Sequence, residues 1–213
     1  NKESQKEEAV LNSVMQDLEN SKNIRSIDFS KDVYIKYIKP LQLLTDKPVL
    51  YVCNVEEESI LTGNNYVEEV KKSIKDKFAE IIILAAGIES EINELSEHEE
   101  RKIFLNDLGL DEPGSNKLIK STYSLLSLHT YFTAGIKEVR AWTIPIGSKA
   151  SQAAGVIHSD FEKGFIKTEV ISYSDYISYG SELKAKEAGK MRVEGKDYVV
   201  NDGDVMHFLF NVW

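Results

Sequence analysis

The tetrapeptide Asn54-Val55-Glu56-Glu57 follows directly on the most apolar run of the chain, Pro48-Val49-Leu50-Tyr51-Val52-Cys53. An apolar run without alternation reads as a strand buried on both faces of a parallel sheet, and open α/β sheets bind ligands beyond the carboxyl ends of their strands. A carboxamide and a carboxylate at this spacing can read a purine base. Guanine is read by Asn-Lys-x-Asp, in which the amide meets the purine edge and the Asp accepts from N1–H and the amino group. Here Val55 stands in the lysine's place and Glu57 in the aspartate's. The extra methylene displaces the carboxylate by about one bond length, enough to spoil a bidentate pair. Adenine presents an acceptor at N1, so the pattern should tolerate adenine better than a guanine site does. An Asn after a strand is also an ordinary turn residue, and the tetrapeptide alone leaves both readings open.

A partner for such a site belongs at the end of the next strand, where Leu84-Ala85-Ala86-Gly87 lies. Small side chains there let backbone approach a purine ring, and the Ala86 N–H could meet a base acceptor. Small residues equally suit a strand-to-helix turn. No Gly-x4-Gly-Lys-Ser/Thr segment, which would cradle phosphates and place a hydroxyl on magnesium, occurs anywhere. The nearest spacing, Gly109 to Gly114, has Ser115 for the lysine, acidic residues in the loop and no preceding strand, and reads as a turn between helices.

Other chemistries find less support. His98, His129, His158 and His207 are scattered without HxxxH or HExxH spacing, which disfavours zinc. His158, Ser159 and Asp160 are consecutive and do not converge as a hydrolase triad, and Gly-x-Ser-x-Gly is missing. Glu97, Glu99 and Glu100 read as a solvated helix face. Towards the end of the chain Lys184, Lys186, Lys190, Arg192 and Lys196 cluster, with Lys163 and Lys167 before them and Phe161, Phe165 and Tyr179 nearby. If several share one sheet face they form a footprint for RNA phosphate with aromatic platforms for bases. Alternating Lys and Glu kept for solubility would look the same.

The elements that must position these residues divide in two. Val10, Leu11, Val14, Met15 and Leu18 recur at helical spacing over residues 3–19, and a second helix follows Ser30, a candidate N-cap. The strand after Pro48, a helix over 66–78 and a strand over 80–85 form a βαβ unit. Helices over 91–108 and 113–128 follow. Two parallel strands cannot bury both faces, so the chain reads as the end of a longer protein. Beyond a boundary at 127–132 come strands over 139–144, 165–171, 191–193, 198–200 and 205–212, a helix over 151–158 and a helical turn over 175–179, the content of a small α+β domain of β-grasp kind.

The composition agrees with a globular protein. Of 213 residues 42% are hydrophobic and 29% charged, and no apolar run approaches the ~18 residues of a membrane span. No apolar segment of a secretory signal is visible at the start, and the single cysteine, Cys53, can form no internal disulfide, so the expected compartment is the cytoplasm. The net charge of −9 divides unevenly. Residues 1–128 carry 16 Lys+Arg against 24 Asp+Glu, and residues 129–213 carry 10 against 11. The last domain is near neutral, which keeps RNA among its candidate partners.

Longer motifs carry a resemblance. The run Thr130-Tyr131-Phe132-Thr133-Ala134-Gly135-Ile136-Lys137-Glu138-Val139-Arg140-Ala141-Trp142-Thr143, the run Ala153-Ala154-Gly155-Val156-Ile157-His158-Ser159-Asp160-Phe161-Glu162-Lys163-Gly164-Phe165-Ile166, and the ending Asp202-Gly203-Asp204-Val205-Met206-His207-Phe208-Leu209-Phe210-Asn211-Val212 resemble the TGS domain of the YchF family, the Obg-like ATPases. Lys186-Glu187-Ala188-Gly189-Lys190-Met191-Arg192 and Gly195-Lys196-Asp197-Tyr198 add to it. The resemblance implies the end of a helical insertion over 1–44, the last part of an α/β P-loop NTPase G domain over 45–128, and a β-grasp TGS domain over 129–213. It matches Asn54, Val55 and Glu57 to a base motif preferring ATP over GTP, and Ala85 and Ala86 to the last nucleotide motif. It places the P-loop, magnesium ligands and catalytic residues before this segment, so the chain alone should hydrolyse nothing and bind nucleotide weakly at most. It also implies ribosome and RNA as partners. The competing reading is a non-catalytic module that binds RNA or protein.

Overall fold

The computed structural model describes residues 1–74, 79–135 and 137–211. The last part of the helix expected over 66–78, and Ile136 and Val212 of the quoted motifs, lie outside the described residues. The chain forms two units, Asn1–Leu125 and Leu126–Trp213.

In the first unit α1 (Lys2–Glu19) is capped by Asn1, whose side chain accepts from Glu3 N–H. Ser30 precedes α2 (Lys31–Val33) but makes no capping bond, and the chain continues as a π-helical stretch, Tyr34–Ile38, instead of a regular helix. Val14, Ile24 and Ile38 are the buried centre of this arm. Strand β1 (Leu50–Asn54) pairs in parallel with β2 (Glu80–Leu84), Asn54 opposite Leu84. Between them lies α3 (Asn65–Ser73), whose N-cap Asn64 accepts from Val67 N–H at 3.1 Å. The expectation of burial on both faces is not met in β1, where Val52 is 45% exposed, as a sheet of two strands requires. The single helix expected over 91–108 is instead α4 (Ala86–Glu94) and α5 (His98–Asp107), followed by α6 (Gly114–Leu125). Ala85, Ile88, Ile92, Leu105 and Leu110 form their buried core.

The second unit has β3 (Leu128–Ala134), β4 (Val139–Pro145), α7 (Ala150–Ile157), α8 (Ser159–Lys163), β5 (Phe165–Ile171), α9 (Tyr173–Tyr179), α10 (Glu182–Glu187), β6 (Arg192–Glu194) and β7 (Val205–Phe210). The sheet order is β4-β3-β7-β5-β6, with β3 and β7 parallel and the other neighbours antiparallel. Five strands were expected, but β3 replaces the segment over 198–200. That segment makes only an isolated bridge between Val199 and Lys149. Helix α7 packs against the sheet through Ala150, Ala153 and Ala154, all fully buried. Their small side chains bring the helix close enough for Tyr131 Oη to donate to the Ala153 carbonyl at 2.9 Å, and burial raises the pKa of that phenol. Among the described residues no helix is long and apolar enough to cross a membrane.

Candidate purine-base site

The β1–β2 ladder runs one residue beyond the named strands, because Val55 N–H donates to the Leu84 carbonyl at 2.9 Å. This fixes Asn54 at the carboxyl end of a parallel strand pair. Its side chain is exposed at that end and its Oδ1 accepts from Ala86 N–H at 2.9 Å. The Ala86 N–H expected to be open to a base is therefore engaged by Asn54. Asn54 Nδ2 makes no hydrogen bond among the described residues and remains a donor for a ring nitrogen or carbonyl oxygen. Val55 is half-buried, and Glu57 is exposed at the start of a single 3-10 turn, Glu57–Ser59. Ala85 is 2% exposed and its methyl packs in the core with Ile88 and Ile92. Four of the five residues, Asn54, Val55, Ala85 and Ala86, meet where β1 and β2 end, and Glu57 lies one turn further on.

The basic residues of the second unit do not form one patch. Glu169 pairs with Val193 and Val170 with Arg192, so Arg192 shares the core face with Val170 while Lys167 and Glu169 point to the other. Lys186 reaches Glu169 at 3.8 Å and Lys190 reaches Asp175 at 3.5 Å. Arg192 lies 3.6 Å from Glu194 and 3.8 Å from the buried Asp204, and donates to Tyr198 Oη at 3.1 Å. It holds the loop before β7, and its charge is already met. Lys163, Lys167, Lys184 and Lys196 are exposed and have no ion pair among the described residues. Two of the expected aromatic platforms belong to the core: Phe161 stacks on Phe210 with centroids 3.7 Å apart, and Phe165 meets Phe208 edge-on. Tyr179 is half-buried in α9.

A stack that sequence reasoning did not single out lies on the outer strand β4. There the Arg140 guanidinium sits 4.1 Å from the Trp142 ring centroid. The Arg-x-Trp spacing in a strand, which puts both side chains on one face, could have signalled it. A cleft of about 820 Å³ also opens where β3 and β7 part beyond Phe132 and Val205, lined by Val139, Ile157, Phe161, Tyr176 and Phe210.

Comparison with known proteins bears on both units. Residues 128–211 match the family model YchF-GTPase_C, described as "Protein of unknown function (DUF933)". The chain is 52% identical over 211 residues to the "Ribosome-binding ATPase YchF" of Pasteurella multocida, covering 99% of this chain and 57% of that protein. It is 50% identical over 205 residues to the Bacillus subtilis protein of the same description, covering 95% of this chain and 56% of that one. It superposes on the structure of the Schizosaccharomyces pombe YchF GTPase with a TM-score of 0.83 at 36% identity, over 98% of this chain and 55% of that chain. The chain thus spans a little over half the length of these relatives, with a mixed α/β fold that matches the solved YchF structure along nearly its whole length. It belongs to the YchF family and corresponds to its C-terminal portion.

Proposed function

We propose that this chain supplies the base-reading part of an adenine-nucleotide site together with a ribosome-contacting TGS domain of β-grasp topology. The observation that carries the first half is Asn54, held at the end of a parallel strand pair with its Nδ2 free. Glu57, exposed and one methylene longer than an Asp, disfavours the bidentate pair to guanine, and ATP is preferred over GTP. The phosphates and magnesium need groups that this sequence lacks, since no phosphate-cradling Gly-x4-Gly-Lys-Ser/Thr segment occurs in it. Nucleotide hydrolysis therefore requires residues outside this chain, which by itself binds and positions the base. The relatives' description as ribosome-binding ATPases supports the partner. In the second unit Lys163, Lys167, Lys184 and Lys196 supply the unpaired charge for rRNA phosphate, and the Arg140–Trp142 stack offers a base a flat surface.

Comparative affinity tests the base reading. In protein that includes the phosphate-binding residues, ATP binds more tightly than GTP, and Glu57→Asp narrows the ratio by about tenfold, within the range that one bidentate pair contributes to base discrimination. Equal affinities, unchanged by Glu57→Asp, overturn the reading and leave the non-catalytic RNA-binding module in its place.

A further inference from the structure

Hydrogen bonds tie the end of β1 to the start of a helix much further along the chain. Asn54 Oδ1 accepts from Ala86 N–H at 2.9 Å and takes the place of the side-chain cap that Ala85 cannot offer. The Ala85 carbonyl accepts from Glu89 N–H at 3.0 Å, closing the first turn of α4. The Glu89 side chain then leaves its own helix. Its Oε1 accepts from Gly114 N–H at 2.6 Å and its Oε2 from Ser115 N–H at 2.9 Å. These are the first amides of α6, which have no partner within the helix, and the carboxylate also complements the positive end of the helix dipole. The approach is close. A Cβ on Gly114 would lie 2.9 Å from Glu89 Oε1 and 3.1 Å from Leu84 Cβ. Gly114, which the Gly-x4-Gly spacing brought to notice, is thus needed where α6 meets a carboxylate.

We infer that this run of bonds couples occupancy of the base site to the start of α6, with Glu89 as the positioning residue. The inference rests on the base reading proposed above. A base that takes the free Asn54 Nδ2 and presents an acceptor to the Ala86 N–H must break the bond joining Asn54 to Ala86, whereas a donor to Asn54 Oδ1 only shares that oxygen's second lone pair. The first turn of α4 then loses its cap, and the Ala85 carbonyl and the Glu89 N–H belong to that turn. Ile88 and Ile92, 3% and 2% exposed, anchor the body of the helix, so the change acts on the turn that carries Glu89 and not on α4 as a whole. Coupling of this kind is reciprocal: releasing Glu89 from α6 must loosen Ala86.

Residue-resolved amide hydrogen exchange on the full chain tests it. Asn54→Ala is expected to speed exchange at Gly114 and Ser115 about fivefold, and Glu89→Ala to speed exchange at Ala86 by the same factor, the low end of measured couplings between sites. Gly114→Ala displaces Glu89 from the far side without removing either bonded side chain, and is expected to speed Ala86 likewise. Unchanged protection of Val67 and Ile82 in each variant shows that the fold is kept. Saturating adenosine should reproduce the Asn54→Ala pattern in the unaltered chain and do nothing in that variant. Effects confined to residue 86 in Asn54→Ala and to residues 114 and 115 in Glu89→Ala overturn the coupling. Adenosine that leaves the Asn54 side-chain amide unmoved overturns the base reading instead, and the variants alone then decide whether the two helix starts are linked.

Discussion

Removing the carboxylate of Asp204 should unfold the second unit far more easily than its place in a surface loop suggests. Asp204 is 3% exposed. Its Oδ2 accepts from Tyr198 Oη at 2.7 Å and from Asn201 N–H at 2.9 Å, and its backbone carbonyl accepts from Phe132 N–H at 2.8 Å where β3 joins β7. Tyr198 Oη in turn accepts from Arg192 and from Asn201 Nδ2. Asp204→Ala therefore strands two donors in a site that water reaches poorly. Hydrogen bonds to a charged group contribute about 1.5–3 kcal/mol each, which puts the loss at about 3–6 kcal/mol. With a urea m-value of about 1.5 kcal/mol/M, that is a midpoint shift of roughly 2–4 M. Tyr198→Phe keeps the ring and removes one donor, and should cost about 1–2 kcal/mol. The assay is urea unfolding followed by tryptophan fluorescence, since Trp142 lies in β4 of the second unit. Burial, and after it the bond to Asp204, raise the Tyr198 pKa, so the phenol should titrate lower in Asp204→Ala. A cost below about 1 kcal/mol would refute the claim that this network holds the loop.

Three further outcomes follow from the same geometry. Gly164→Ala drives a Cβ into the Asn211 carbonyl beside the bond from Asn211 N–H to the Gly164 carbonyl, and thermal unfolding should show a loss of about 1–3 kcal/mol or more. The Asp175 carboxyl is held below its usual 3.8 chiefly by the Ser172 hydroxyl and also by Lys190. A depressed folded pKa means that its stabilisation is complete above 3.8 and is lost as pH falls through the lower folded value, so carboxyl NMR should find the midpoint rising in Ser172→Ala. In electrophoretic shifts with single-stranded RNA, alanine at Lys163, Lys167, Lys184 or Lys196 should flatten the salt dependence by about 0.7 for each phosphate that is no longer neutralised. Arg192→Ala should instead show its main effect in unfolding, because that guanidinium is committed to Tyr198 and Asp204.

What was legible in the sequence follows the range of the interactions involved. The runs around Leu50–Asn54 and Glu80–Leu84 announced β1 and β2 because local apolar character suffices to mark such strands. Strand β3 went unmarked because Leu128–Ala134 mixes His, Thr and aromatic residues and is partly buried along nearly its whole length, which hides any alternation. Its place in the sheet depends on Phe132 finding Val205, a pairing no local pattern encodes. Tyr198, Val199 and Val200 have strand propensity, yet Tyr198 is drawn into the Asp204 network and only Val199 bridges. At the candidate base site, Asn54 stood out in the sequence because it follows an apolar run. Its bond to Ala86 was not, since it joins residues 32 apart through a side chain. Whether the lysine cluster shares one face was left open by the sequence, because the strand register that puts Arg192 and Lys167 on opposite faces is not a local pattern.

The central claim, that the end of β1 reads an adenine base, is tested most directly by adding adenosine to this chain and following the Asn54 side-chain amide and the Ala86 backbone amide by NMR. The account predicts that both signals move together and saturate, and that guanosine moves them less. Signals that stay in place up to the solubility limit of adenosine, or that move equally with guanosine, would contradict it.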